Sequence, residues 1–205
     1  MMEQAANLGI AGITGWRAVF ADGTVQGLTV LVWGAASGVG AVALQMAVRD
    51  GATVLAVVRK AEQQSTVLAM GAQEAFLADT PDLVEVLRAA APHGVDRVAD
   101  VDFGSHVETN AKVLAVGGVI CAYYSAANHP PIPYWTLGFA DATLRLLGSD
   151  DFAPAIKARA AVELTAALAE GKLVSSIGAR VPLDDIVLAH ERVESGAAGR
   201  TMLRL

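Results

Sequence analysis

The run from Val30 to Val48, VLVWGAASGVGAVALQMAV, is apolar almost throughout, carries no charge, and holds three glycines and a serine at its centre. Its uncharged surroundings, Gly23 to Val48, exceed the roughly 20 residues that a bilayer core demands. The internal order argues against a membrane span. Thr29 to Trp33 is a β-branched and aromatic block suited to a buried strand, Gly34 to Gly40 interrupts it, and Ala41 to Val48 is rich in Ala, Leu and Met as a helix is. Strand, glycine turn, helix is the simpler parse. Gly51 is placed to end that helix in the left-handed cap conformation.

The alternation continues along the chain. Leu8, Ile13, Trp16 and Val19 or Phe20 give residues 3 to 20 a helical spacing, and ADGTVQG turns the chain into the first strand. Thr53 to Val58 is a second strand, AEQQSTVLAM a second helix closed by Gly71, and EAFLA a short third strand. TPDLVEVLRAAA is a helix with Thr80 as N-cap and Pro81 at its first position. VDRVADV, SHVETNAKVLA and GGVICAYY follow as strand, helix and strand. Strands this continuously apolar belong to a parallel sheet covered on both faces, so the fold class is α/β, a Rossmann-type doubly wound, mostly parallel sheet with helices on both faces.

After Tyr124 the pattern changes to a Pro-rich aromatic loop, SAANHPPIPYWTLGF, then a strand over residues 142 to 149, a long helix from PAIKARAAVELTAALAEGKL, and a closing strand, helix and strand. The 205 residues divide into a joining helix and turn (1–28), a core sheet (29–149) and a C-terminal segment (150–205) of one domain.

A net charge of -6 without any clustered Lys/Arg stretch makes a nucleic-acid surface a poor expectation. Met1-Met2-Glu3-Gln4 lacks a basic n-region, and the segment that follows carries glycines and Arg17, so a cytoplasmic protein is expected. Cys121 is the single cysteine, which rules out an internal disulfide and a multi-cysteine zinc site; its strand-like flanks suit a buried structural thiol. His190-Glu191 lacks the second histidine of H-E-x-x-H and falls on a surface helix, while His106 and His129 stand alone, so no metal is expected.

A glycine turn after the first strand of such a sheet is where a dinucleotide pyrophosphate rests, against a helix N-terminus. GAASGVG fits the position, although a strict G-x-G-x-x-G register falls on Ala35, Ser37 and Gly40 and keeps only the last glycine. A turn needed only for close helix-sheet packing remains the alternative. Past the second strand, where an NAD site places an acid for the ribose, stand Arg59 and Lys60. Two cations there suit the 2′-phosphate of NADP; two solvated loop charges with Glu62 nearby are the bland reading. Gly34, Gly38 and Gly40 also match the turn of short-chain dehydrogenases, yet none of Tyr123, Tyr124 or Tyr134 has the lysine four residues on that their proton transfer needs.

LGIAGITGWRAVF, VLVWGAASGVGAVALQMAVRDGATVLAVVRK, MGAQEAF, VLAVGGVI, TLRLLGSDDF and VPLDDIVLAHERVESGAAGRTMLRL occur in the order and spacing of the nucleotide-binding half of medium-chain dehydrogenase/reductases, and the chain resembles their zinc-independent NADPH:quinone oxidoreductases over nearly its whole length. The resemblance implies that Thr14 and the turn Ala35, Ala36, Ser37, Gly38 and Val39 contact nicotinamide and pyrophosphate, and that Arg59 and Lys60 hold the adenosine phosphate. It implies that Asp102, Phe103, Tyr123, Tyr124 and Ser125 line the adenosine and nicotinamide side. Tyr124 stands where the family often has glycine, which narrows the nicotinamide pocket, and Gln63 replaces a lysine that some members use near the phosphate.

The family's GroES-like catalytic domain is absent from this sequence, so catalytic side chains are unassigned. The function this implies is an NADPH-binding domain of a quinone-oxidoreductase-like enzyme, whose full-length form transfers hydride from NADPH to a quinone or α,β-unsaturated carbonyl. The alternatives are a non-catalytic NADPH-binding sensor or scaffold domain and a nucleotide-independent interaction domain. The resemblance also implies a homodimer joined by edge-strand pairing at residues 142 to 149; from charge and the internal order of the apolar run, no nucleic-acid or membrane partner is expected.

Overall fold

In the computed structural model, which describes residues 2–205, the N-terminal periodicity is divided into α1 (Met2–Ala6) and α2 (Ile10–Phe20) instead of one helix over residues 3 to 20. Gly9 leaves helical geometry at ψ -110°, and Asn7 turns its amide back onto the Glu3 carbonyl. Both residue types favour a break over a helix interior.

The charge-free run then forms β1 (Thr29–Trp33), a turn, and α3 (Gly38–Arg49), with Gly51 at φ 90° closing the helix. β2 (Thr53–Val58), α4 (Glu62–Ala69), β3 (Glu74–Leu77), α5 (Leu83–Ala90), β4 (Val95–Asp100), α6 (Phe103–Val113), β5 (Leu114–Ala122), α7 (Tyr134–Phe139) and β6 (Thr143–Leu146) follow. The sheet order is β3-β2-β1-β4-β5-β6, with every pairing parallel. This is the doubly wound order expected of a Rossmann-type sheet. α8 (Pro154–Ala169) precedes a separate two-stranded parallel sheet of β7 (Ile177–Pro182) and β8 (Arg200–Arg204), joined by α9 (Ile186–Glu194).

Alternate residues of each strand feed two cores. From β1, Val30 and Val32 enter the layer shared with α2, α3 and α8, where Trp16, Leu44, Met46 and Leu164 are buried. Leu31 and Trp33 enter the opposite layer with Leu87, Phe103 and Val107 of α5 and α6. At about 1.5–3 kcal/mol for each large apolar side chain removed from water, the two layers fix which strand face meets which helices. Cys121 lies in the first layer, fully buried, and burial pushes its thiol up to about 11.

Three local expectations change. Thr80 and Pro81 do not begin a helix: Thr80 closes a turn on the Leu77 carbonyl, and α5 starts at Leu83 behind Asp82, which takes φ 53°. A short polar side chain tolerates that left-handed geometry, so the turn uses Asp82 as its pivot. The Pro-rich segment after Tyr124 is not loop throughout, since Pro133 leads into α7. The strand assigned to residues 142 to 149 is confined to Thr143–Leu146, because Ser149–Asp151 coils into a 3-10 turn. Among the described residues, no helix is long and apolar enough to cross a membrane.

Close approach at the glycine turn sets the geometry of everything above it. Gly34 has φ 62°, and a Cβ on Gly40 would overlap the Gly34 carbonyl group, whose carbon would lie 2.8 Å away. A Cβ on Gly15 of α2 would sit 2.7 Å from the Val39 carbonyl oxygen of α3. These contacts are with backbone, which cannot swing aside. Gly40→Ala is therefore expected to cost about 2 kcal/mol or more in urea denaturation, whereas Gly38→Ala, which meets only a long flexible side chain, leaves the midpoint nearly unchanged.

Candidate functional site

Strand order reverses at β1, which has β2 on one side and β4 on the other. An open parallel sheet leaves a crevice beyond the carboxyl ends of its strands at such a point. Here it is a cleft of about 690 Å³, walled on one side by the glycine turn and on the other by residues 174–176 and 196–200.

The turn presents α3 end-on. Ser37 is its N-cap, with Oγ accepting from the Gly40 N–H at 3.1 Å. Gly38 and Val39 belong to the first turn, where N–H groups have no partner within the helix and carry the positive end of its dipole. Across Gly38 lies the Arg200 guanidinium, close enough that a Cβ on Gly38 would be 2.7 Å from Arg200 Cζ. Arg200 opens β8, where its own N–H donates to the Ser176 carbonyl at 2.7 Å.

At the end of β2, Arg59 and Gln63 line the cleft. Gln63 Oε1 accepts from the backbone N–H groups of both Arg59 and Lys60 at 3.2 Å, so it shapes the loop that carries the two cations. Among the described residues no Asp or Glu lines the cleft; its ionised side chains are Arg59 and Arg200. At the end of β5, Tyr123 reaches the cleft with its hydroxyl buried and without a partner among the described residues. That burial pushes the phenol well above its usual range.

Of the residues expected at the site, Ala36, Ser37, Gly38, Val39, Arg59 and Tyr123 converge on the cleft. The others lie outside its lining. Thr14 is buried in α2 and donates its hydroxyl to the Ile10 carbonyl at 2.7 Å. Ala35 is buried beneath the turn, its N–H donating to the Val57 carbonyl. Lys60 is exposed beside Arg59.

Asp102, Phe103, Tyr124 and Ser125 form a second cluster behind the cleft. Asp102 accepts from the Ala126 N–H at 2.8 Å and from the Ser105 hydroxyl at 2.7 Å, and these bonds, the first foremost, hold its carboxyl below the usual carboxylate range. Phe103 donates its N–H to the Tyr124 carbonyl at 2.9 Å, and Ser125 donates to the Ala127 carbonyl. The Tyr124 ring is 62% exposed and does not narrow the cleft.

Two features escaped the sequence. Arg200 is too far along the chain from Gly38 for any local pattern to join them. His106, read as solitary, has Nδ1 2.7 Å from Asp100 Oδ1 and stacks on Trp33 at 3.8 Å between ring centroids. Asp100 also accepts from Asn110 Nδ2, and Asn110 Oδ1 accepts from Trp33 Nε1. This ring of contacts braces α6 on β1 and β4. Its only sequence signal is a polar residue ending an apolar strand.

A family model described as zinc-binding dehydrogenase matches residues 38–160. Quinone oxidoreductases of Pongo abelii and Homo sapiens are each 28% identical over 99% of this chain, which spans 63% of their length. Among solved structures, the quinone oxidoreductase from Thermus thermophilus, determined with its NADPH complex, superposes with a TM-score of 0.84 at 28% identity, over 99% of this chain and 66% of that one. A 2-haloacrylate reductase superposes with a TM-score of 0.86 at 25% identity, over 97% of this chain and 65% of that one. The first of these names implies zinc. Among the described residues no three His, Cys, Asp or Glu side chains gather, so the residues here do not fit a zinc site.

The Asp102 cluster gives a pH test. A carboxyl depressed in the fold contributes stability above its unfolded value and loses it as pH falls through the folded one. Hydrogen exchange at the Ala126 amide is expected to stay protected at neutral pH and to lose protection only below pH 3.8, the unshifted aspartate value. Asp102→Ala removes the protection at every pH.

Proposed function

We propose, taking as premise that this chain belongs to the zinc-binding dehydrogenase family of medium-chain dehydrogenase/reductases, that it is the NADPH-binding domain of a quinone-oxidoreductase-like enzyme. The observation that carries the reading is the cleft's charge: in a chain of net charge -6, it offers two guanidinium groups, free helix N–H groups and, among the described residues, no carboxylate. Such a lining selects a ligand with two anionic groups set apart, as the pyrophosphate and 2′-phosphate of NADPH are. The similar quinone oxidoreductase solved with NADPH supports the same choice.

In this reading Gly38 lets a pyrophosphate approach the start of α3, Arg200 closes over it, and Arg59, assisted by Lys60, takes the 2′-phosphate in bidentate fashion. The chemistry that bound NADPH supplies is hydride transfer, to a quinone or an α,β-unsaturated carbonyl in the full-length protein. The part of this chain is to orient and to exclude water, which is where positioning lowers a barrier. We place the protein in the cytoplasm.

Fluorescence titration of the purified chain with NADPH and NADH tests the reading. NADPH is expected to bind at least about tenfold more tightly, and Arg59→Ala with Lys60→Ala to remove the difference. Gly38→Asp is expected to abolish binding of both nucleotides with the circular dichroism spectrum unchanged, since its carboxylate would pair with Arg200 and repel phosphate. Equal affinities in the unsubstituted chain overturn the phosphate assignment.

The proposal extends to a homodimer. β6 ends the sheet, with Leu146 76% exposed, and an uncovered strand edge is a template for pairing with a second copy. Light scattering is expected to give a dimer that Leu146→Pro converts to monomer. A monomer at high concentration, indifferent to that substitution, overturns the edge pairing.

A further inference from the structure

Residues 174–176 form part of one cleft wall but belong to no helix or strand. Their backbone is held instead by two glutamine side chains. Val174 donates its N–H to Gln45 Oε1 at 2.8 Å, and its carbonyl accepts from Gln45 Nε2 at 3.0 Å. Ser175 does the same with Gln4, at 2.6 and 2.9 Å. Each side chain exchanges both bonds with one residue, as a facing residue on an antiparallel strand does. Among the described residues, the backbone groups of Val174 and Ser175 have no other hydrogen-bond partner. The next residue, Ser176, accepts the Arg200 N–H at 2.7 Å, and Arg200 carries the guanidinium that faces Gly38.

Gln45 is the more constrained of the two. It is 6% exposed, and its Nε2 donates a second bond to the Ala41 carbonyl, one turn back along α3, at 2.9 Å. α3 is also the helix whose first turn faces the cleft. One rigid helix therefore offers free N–H groups at its start and, about 10 Å further along its axis, grips the segment on which Arg200 is anchored. The spacing between those N–H groups and the guanidinium opposite is set by α3 itself and not by the two-stranded sheet alone. We infer that Gln45, with Gln4 beside it, is a positioning residue for the nucleotide: it holds residues 174–176 so that Arg200 stands over the pyrophosphate. The inference rests on the nucleotide reading above and adds to it two residues that do not line the cleft.

Gln45→Met keeps the length of the side chain and removes both bonds to Val174. The variant is expected to stay folded by circular dichroism; where it does not, Gln4→Met, at a half-buried side chain, carries the same test. NADPH and NADH are each expected to lose affinity about 3- to 10-fold, the range of one hydrogen bond, with their ratio unchanged, because the ratio belongs to Arg59 and the loss to Arg200. In an Arg200→Ala background Gln45→Met is expected to change neither affinity by more than about twofold, since a residue that acts through another adds nothing once that other is gone. A merely structural glutamine would cause the same loss in both backgrounds. In the ligand-free chain, hydrogen exchange at the Arg200 amide is expected to quicken in Gln45→Met while the amides of β1 keep their protection. Unchanged nucleotide affinity in Gln45→Met overturns the inference, as does an equal loss with and without Arg200, or an Arg200 amide whose exchange does not change. If the unsubstituted chain binds neither nucleotide, the nucleotide reading itself has failed, and the Arg200 amide then reports by itself whether Gln45 holds the wall.

Discussion

The backbone contact between Gly40 and Gly34 is the constraint on which the rest of the site depends. With no Cβ at either position, the first turn of α3 folds back onto the end of β1, and Gly34 adopts the left-handed geometry that lets the chain reverse so sharply. The start of α3 is thereby held at the crevice and not above it. Gly15 carries the same closeness to α2, which settles on the Val39 carbonyl. The glycines of the turn differ in role: Gly34 and Gly40 make the turn possible, and Gly38 leaves room for the Arg200 guanidinium.

Charge is divided in a similar way. Several ionised groups pair on the surface, as Arg49 does with Glu170 and Arg159 with Glu163, and exposed pairs of this kind contribute about 1 kcal/mol at most. Among the described residues, no carboxylate lines the cleft that Arg59 and Arg200 share. Like charges facing one crevice repel each other, a cost that an anion between them offsets. On the other side of the sheet, Asp100 is fully buried but accepts hydrogen bonds from Asp102 N and Asn110 Nδ2 and meets His106 Nδ1, so its polarity serves to hold α6 in place.

The sheet and its first turn were legible because burial on both faces writes continuous apolar runs, and Gly, Pro and charge mark their ends. β1, β2, β4 and the start of α3 follow from that pattern alone. The degenerate G-x-G-x-x-G register concealed little, since Gly40, where a Cβ collides with backbone, and Gly34, which takes φ 62°, are both glycine. What failed was local or distant. The break at Asn7–Gly9 and the pivot at Asp82 depend on single dihedral angles that periodicity does not encode. The His106–Asp100 contact depends on how a helix leaves a strand. The approach of Arg200 to Gly38 depends on a second sheet, and no sequence window spans it.

That second sheet carries Arg200 and is anchored differently from the rest of the cleft. A pair of strands is marginal by itself, and β7 and β8 hydrogen-bond to each other and to no strand of the main sheet. The segment is tied down by polar contacts: Gln45 exchanges hydrogen bonds with Val174, Gln4 with Ser175, and Glu3 pairs with Arg180. α9 buries Ala189 and leaves Val187, Leu188 and Val193 at least half exposed. Regions held by few apolar contacts open at a lower free energy than the core around them. The two sides of the cleft thus differ in kind, with Gly38 on a helix fixed by backbone collisions and Arg200 on a unit fixed by a handful of side-chain hydrogen bonds. Local opening is therefore expected to begin on the Arg200 side of the cleft and to leave the main sheet intact.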